Sequence, residues 1–329
     1  LLHVVAVVDT APPWTQLQQA GETHPCLDPA LQKLRPNWQE LGAGFHVFLL
    51  DEGRLTLTLC IGERLKMLRE QQFVADSVLL NPGAEPDPCA WDLWQSKALA
   101  RLCKAGTTLQ ASHLSQEQRL GLIQCGFAFS SRLNTRTEQG TYAPHWRLKR
   151  TRHSWSDTSA AGPAKSCAVV GAGLAGASTA AALARRGWQV KVFDKTSAPA
   201  QGASGLPVGL MVPHLSGDDG PRSQLSRCGI NLTRQCAHEL LRAGEDWQAS
   251  GVTQLHPQTD KSAVFHPTAA WIKPAALVRA WLSQPGIEFC GASEVASLEP
   301  VPYHDGDAGT DRAWRVLDTS GKVLAQVDH

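Results

Sequence analysis

The sequence predicts an α/β protein in two parts, and three observations carry that expectation. Apolar strand-like runs alternate with helical patterns up to about residue 150. Residues 151–166, TRHSWSDTSAAGPAKS, carry Ser, Thr, Gly and Pro without an apolar period, the composition of a connector. The stretch from Cys167 to Lys195 then reads as strand, glycine turn, Ala-rich helix and second strand. At 329 residues the chain has room for two domains, and 43% hydrophobic with 19% charged residues is a globular balance.

In chain order, Leu2 to Val8 is a continuous apolar run, expected as a buried parallel strand, and Thr10 to Pro13 break it. Residues 14–42 are polar with helical patches. Phe45–Leu50 and Leu55–Ile61 flank Asp51-Glu52-Gly53-Arg54, a hairpin signature in which Gly supplies a positive φ. A helix is expected within Gly62–Gln72, and a buried strand over Val74–Leu80, stopped by Asn81-Pro82-Gly83. Trp91, Trp94, Ala98 and Leu102 share a helical face, with Lys104 and Gly106 ending that helix. Thr107–Ala111 is a strand, and Ser115 with Gln118 forms a capping box for a helix that stops at Gly126. Phe127–Ser131 and Trp146–Leu148 are expected to pair antiparallel. Beyond the connector, Leu225, Cys228, Leu232, Cys236, Leu240, Ala243 and Trp247 keep a helical stripe that reads as core. Pro274 opens an amphipathic helix at N1, and Ile287–Phe289 and Ala313–Leu317 are short strands.

The net charge of +1 gives no general drive toward nucleic acid or membranes, and no apolar run reaches the 18 or so residues of a membrane span. The opening LLHVVAVVD lacks an initiator Met and a basic region, and is expected to be a strand entered mid-fold rather than a signal peptide. The nine Cys show no C-x-x-C and read as reduced core residues of a cytoplasmic protein; the twelve His form no metal spacing.

The chemistry sits in Gly171-Ala172-Gly173-Leu174-Ala175-Gly176. Gly171 permits the tight turn, Gly173 lets a pyrophosphate approach the backbone, and Gly176 lets the helix pack on the strands. The N–H groups at the helix start and the helix dipole then face the phosphates. Asp194 ends the second strand and can accept from a ribose diol. An acid there disfavours NADP but does not separate FAD from NAD. The alternative, a strand–helix–strand unit that binds nothing, has against it the small and apolar residues Ala180, Leu183, Gly187, Val190 and Val192 at the expected places.

Several segments together resemble the bifunctional tRNA 5-methylaminomethyl-2-thiouridine biosynthesis family, MnmC. The marks are LLHVVAVVD, GFHVFLLDEGRLTLTLCIGE and DSVLLNPGAEPDPCAWDLWQSKALARLCKAGTTL in the first part. In the second they are VVGAGLAGASTAAALARRGWQV, APAQGASG followed by Gly209, and AAWIKPAALVRAWL. The resemblance implies an incomplete methyltransferase-like Rossmann domain over 1–150, a linker over 151–166, and an FAD-binding, D-amino-acid-oxidase-like Rossmann domain over 167–329, itself incomplete at its C-terminal side. It implies FAD-dependent removal of the carboxymethyl group from a tRNA wobble uridine, followed by S-adenosylmethionine-dependent methylation of the amine. By position, Gly171, Gly173, Ala175, Gly176, Asp194 and Lys195 would hold the ADP half of FAD. Ala203, Ser204 and Gly209 would line the flavin side, and the Val295 backbone would meet the adenine. The sequence departs from the family at the methyl-transfer end: Val8 stands where an acid is usual, Asn81 where an Asp is usual, Glu63 replaces an Asp, and Leu206 replaces an Asn. Asn81 is neutral and cannot act as a carboxylate toward the amine. The expectation is a partial or diverged member, without S-adenosylmethionine chemistry of its own and with no assigned catalytic base. The rival readings are another FAD-dependent amine or amino-acid oxidase, and a non-catalytic RNA-binding remnant built on Arg147, Lys149, Arg150 and Arg152.

Overall fold

The computed structural model describes the chain apart from residues 39–40, 82–90, 131–136, 147–164, 256–262 and 302–312. The connector at 151–164, the basic cluster from Arg147 to Arg152 and the Pro82-Gly83 stop therefore lie outside the described residues.

The first part begins with β1 (Leu2–Val8), α1 (Trp14–Thr23) and α2 (Asp28–Leu34), followed by β2 (Gly44–Leu50) and β3 (Leu55–Ile61). The expected hairpin is present: β2 and β3 pair antiparallel, and the turn places Asp51 at φ 50 and Gly53 at φ 83. β1 pairs β3 in parallel, so the sheet order is β1-β3-β2. β2 buries every second residue, and Phe48, Leu50, Leu59 and Ile61 pack with Leu34 beneath the helices. Trp38 stacks on Phe48 at 5.6 Å. Each fully buried side chain of this size stabilises by roughly 1.5–3 kcal/mol. β1 is not the buried strand expected, because Leu2 is 61% and Val4 40% exposed.

α3 (Arg64–Glu70) leads to β4 (Ala75–Leu80), α4 (Leu93–Arg101), β5 (Cys103–Ser112), α5 (Gln116–Gln124), β6 (Phe127–Phe129) and β7 (Thr137–Tyr142). Their sheet order is β4-β5-β7-β6. The Ser115–Gln118 capping box is formed as expected, and Asp92 with Gln95 forms another at α4. β6 pairs antiparallel with β7, and Arg147 and Leu148 of the partner expected for it lie outside the described residues. Two expectations need correction. α4 ends at Arg101 because Cys103 already belongs to β5, which places Lys104 and Gly106 in strand rather than at a helix end. Trp94 is 56% exposed under the Lys97 ammonium, while Leu99 takes its place in the core.

The second part opens with β8 (Ser166–Val170), α6 (Leu174–Ala184) and β9 (Gln189–Phe193), so Ser166 belongs to a strand rather than to the connector. β10 (Gly209–Met211), α7 (Pro221–Leu240), β11 (Trp247–Gln248), β12 (Val252–Leu255), β13 (Ala263–His266) and β14 (Ala270–Ile272) follow. After them come α8 (Pro274–Leu282), β15 (Ile287–Cys290), β16 (Val295–Pro300), β17 (Trp314–Asp318) and β18 (Val323–Val327). β15-β9-β8 is a parallel sheet covered by α6 and α8, with Ala177, Ala180, Val190, Val192, Leu277 and Val278 buried between them. The expected stripe on α7 is only partly core: Cys236 is buried, Leu225 is 73% exposed, and Ala243 and Trp247 lie beyond the helix.

α7 runs along the outer edge of β2. The Gln235 amide accepts from the Leu49 N–H at 2.9 Å and donates to the Val47 carbonyl at 3.0 Å, as a neighbouring strand would. His46 donates through Nε2 to the Gly42 carbonyl at 2.7 Å, a tautomer assigned from that partner. Burial holds its imidazole below the ordinary value, with the Gly42 carbonyl opposing and the Arg227 charge assisting. Gln235→Ala leaves the Leu49 N–H and Val47 carbonyl without this partner. It is expected to cost about 1–3 kcal/mol in urea unfolding, more than an exposed Gln→Ala change.

Candidate functional site

The site forms at the carboxyl ends of β8 and β9, where a parallel sheet places ligands. β8 ends at Val170 and the chain turns through Gly171 at φ 99 into α6. A Cβ on Gly176 would lie 1.8 Å from the Gly171 carbonyl oxygen, so the first turn of α6 sits directly on the glycine turn. Among the described residues none accepts from the N–H groups of Gly173, Ala175 or Gly176. These are the donors a helix N-terminus offers an anion.

The Leu174 N–H is taken by the Ser204 hydroxyl at 3.0 Å. That hydroxyl comes from a short 3₁₀ turn, Ala203–Gly205, thirty residues downstream. A Cβ on Gly173 would meet Ser204 Oγ at 3.2 Å. The turn is therefore a cradle closed on one side by a hydroxyl that can accept and donate.

Asp194 follows β9 and holds the rim together. Its carboxylate accepts from the Ala172 N–H at 2.7 Å, and from the Thr196 N–H at 2.9 Å and hydroxyl at 2.7 Å. Burial pushes this carboxyl up. The Thr196 and Ala172 hydrogen bonds outweigh that, with Lys195 adding its charge, and hold it below the ordinary carboxylate value. Its carboxylate keeps acceptor capacity beyond these three bonds, toward a diol. Ala172, Gly173, Asp194, Lys195, Thr196, Ala203 and Ser204 line one cavity of about 280 Å³. Another cavity of about 290 Å³ lies at the amino ends of the strands, lined by Ser166, Gln189 and Gly286. The donor set of the first cavity, free N–H groups beside a carboxylate, fits a dinucleotide diphosphate and its ribose.

Of the residues singled out in the sequence, Gly173, Asp194, Lys195, Ala203 and Ser204 line this cavity, and Gly171, Ala175 and Gly176 form the turn behind it. Gly209 lies in β10 against Ile272, with Pro274 Cγ 3.3 Å from the place of a Cβ, apart from the lining. Val295 begins β16 and is not part of the lining. The segment before it is tied in, since Ser293 N–H donates to the Asp194 carbonyl and Ala292 N–H to the Thr196 carbonyl. Thr196 and Ala200 were not foreseen. The signal for Thr196 is the spacing Asp194-Lys195-Thr196, in which an Asp side chain caps the N–H two residues on. Ala200, at φ 61, donates to the Ala172 carbonyl through a contact that no local pattern announces.

At the methyl-transfer end suggested by the resemblance, Asp9 forms an ion pair with Arg64 at 2.6 Å, and Glu63 caps α3 by accepting from Leu65 and Lys66 N–H. Asn81 is exposed just after β4. Among the described residues, no three His, Cys, Asp or Glu are grouped to hold a metal, and no helix is long and apolar enough to cross a membrane.

Residues 166–261 match the family model described as FAD dependent oxidoreductase. The chain is 44% identical, over 98% of its length, to the tRNA 5-methylaminomethyl-2-thiouridine biosynthesis bifunctional protein MnmC of Albidiferax ferrireducens, of which it covers 54%. It is 39% identical to the protein of that name from a Polaromonas species, over 99% of this chain and 56% of that one. With the Pseudomonas entomophila protein it shares 31% identity, over 91% of this chain and 52% of that one. The chain thus spans about half the length of the curated relatives it matches.

Proposed function

We propose, from the premise that this chain is homologous to the MnmC proteins over about half their length, that it binds FAD at the Gly171 turn and serves in tRNA wobble-uridine modification. The observation that carries the reading is the cradle itself: free N–H groups of Gly173, Ala175 and Gly176 beside the Asp194 carboxylate, inside the segment matched to FAD-dependent oxidoreductases.

In this proposal the N–H groups of the α6 start hold the pyrophosphate, and Asp194 accepts from the adenosine ribose. Ser204 reaches the same phosphates from the other side. Lys195 stands by with its charge, and Gly209 and Val295 contribute from β10 and β16 to the flavin and adenine ends. The bound flavin supplies the electron acceptor for amine oxidation. The substrate proposed is the carboxymethylaminomethyl group of a tRNA uridine, from which the carboxymethyl group is released. The relatives are named as bifunctional, and methylation is proposed for them rather than for the residues here. The proposed place of action is the cytoplasm.

Titration with FAD, FMN and NAD side by side tests the cofactor. FAD should bind best and FMN worst, because FMN lacks the adenosine half that this cradle fits. Asp194→Ala should weaken FAD by tenfold to a hundredfold, the loss of charge-assisted hydrogen bonds of roughly 1.5–3 kcal/mol. FMN binding as tightly as FAD would remove the cofactor assignment. Flavin reduction by free amines but not by undermodified tRNA would leave an ordinary amine oxidase instead.

The proposed division into 1–150 and 167–329 about a connector rests on the composition of residues 151–166. Limited trypsin should first cut at Lys149, Arg150 or Arg152, giving a fragment that starts near Thr151 or His153. Earlier cuts inside both halves would count against the boundary.

A further inference from the structure

We infer that Thr196 and Asp194 together form the receptor for a ribose diol, Asp194 taking one hydroxyl and the Thr196 hydroxyl oxygen accepting the other. This rests on the proposed seating of the adenosine half of FAD in the cavity beside the Gly171 turn. Thr196 lines that cavity together with Asp194. Its hydroxyl oxygen lies 2.7 Å from Asp194 Oδ1 and 2.8 Å from the Ala198 carbonyl oxygen.

The count of donors and acceptors carries the assignment. A carboxylate offers about four lone-pair sites. Asp194 Oδ2 accepts from the Ala172 N–H, and Oδ1 accepts from the Thr196 N–H and hydroxyl, which leaves about one site for a ligand. A ribose diol brings a pair of O–H donors, so one of them needs another acceptor. The Thr196 hydroxyl has a single proton, and both of its neighbours, the Asp194 carboxylate and the Ala198 carbonyl, can only accept. That proton is committed between them, and toward the cavity the Thr196 oxygen is an acceptor. No described residue donates to it.

The oxygen is also held in place. The Thr196 carbonyl accepts from the Ala292 N–H at 2.9 Å, and the Asp194 carbonyl accepts from the Ser293 N–H at 2.8 Å. A Cβ on Gly291 would stand 2.6 Å from the Ser197 carbonyl oxygen, so the two segments meet without room for a side chain. The other polar side chains of the lining fit the second hydroxyl less well. Lys195 can only donate. Ser204 already accepts from the Leu174 N–H at the start of α6, on the side of the phosphates. Gln201 is exposed, and among the described residues no hydrogen bond fixes its amide. Thr196 is the acceptor that is both fixed and next to Asp194.

Calorimetric titration of the full chain with ADP, 2′-deoxy-ADP and 3′-deoxy-ADP tests the pair. Wild type should bind both deoxy nucleotides more weakly than ADP. Thr196→Val keeps the shape of the side chain and loses the hydroxyl. It should weaken ADP by about three- to tenfold and bind one deoxy nucleotide as well as ADP, while the other keeps its wild-type ratio to ADP. Thr196→Ser, which restores the hydroxyl, should behave as wild type, and Gln201→Ala should leave both ratios unchanged. A merely structural role for Thr196 would weaken all three nucleotides alike. Both ratios intact in Thr196→Val would therefore overturn the inference, and so would a ratio lost in Gln201→Ala. Asp194→Ala separates this outcome from failure of the cofactor assignment. Unchanged ADP affinity in Asp194→Ala would remove the ribose from this cavity, and the role of Thr196 with it. Weakened ADP in Asp194→Ala, with both ratios intact in Thr196→Val, would remove Thr196 alone.

Discussion

Gly176→Ala is expected to be the most damaging single methyl in the second part of the chain. The added Cβ would stand 1.8 Å from the Gly171 carbonyl oxygen and 3.0 Å from its carbon, and both are backbone atoms that cannot rotate away. Relief requires α6 to lift from β8, which would also separate Ala177 and Ala180 from Val190 and Val192 in the core beneath. A shift of that kind combines overpacking with lost burial and should cost roughly 3 kcal/mol or more. Urea unfolding followed by a probe in the second part should show the transition moved to clearly lower denaturant, and FAD binding lost with it. A variant that melts like wild type would mean that the helix does not rest on the turn as described.

The unit carrying this site was legible because its determinants are local and redundant. Gly171, Gly173, Gly176, the small residues of α6 and the acid at the end of β9 lie within one short stretch, and each has a separate steric or electrostatic reason. The Asp51–Gly53 turn, the Ser115 cap and Pro274 were legible for the same reason. What escaped was non-local. β7 reads Thr-Glu-Gln-Gly-Thr-Tyr, with no apolar alternation, yet it is the strand between β5 and β6. Its buried Glu138 is matched by Arg119 of α5 at 2.8 Å, a partner 19 residues away that no strand pattern encodes. Ser204 closing the α6 start and Ala200 meeting Ala172 are of the same kind. β1 misled in a different way. Its composition is that of a strand buried on both faces, yet Leu2 and Val4 are exposed, and among the described residues it pairs along one edge.

Gly173→Val is expected to separate binding from folding, which Gly176→Ala cannot do. Gly173 has φ −89, a conformation open to any residue, and the nearest atom to its absent Cβ is the Ser204 hydroxyl at 3.2 Å, the end of a small side chain. The fold should therefore accommodate valine with a melting temperature within a few degrees of wild type. The cavity should not. Gly173 lines it directly, and a branched side chain would stand between the ligand and the free N–H groups of Ala175 and Gly176. A pyrophosphate held off those donors loses both its hydrogen bonds and the helix dipole, charge-assisted contacts of about 1.5–3 kcal/mol each. Loss of two such bonds corresponds to about a hundredfold or more in affinity, so FAD binding should fall below detection in a fluorescence titration. Gly173→Ala, which adds only the Cβ, should lie between the two. Wild-type affinity in Gly173→Val, with the fold intact by far-UV circular dichroism, would place the cofactor elsewhere and leave the glycine turn as a packing device alone.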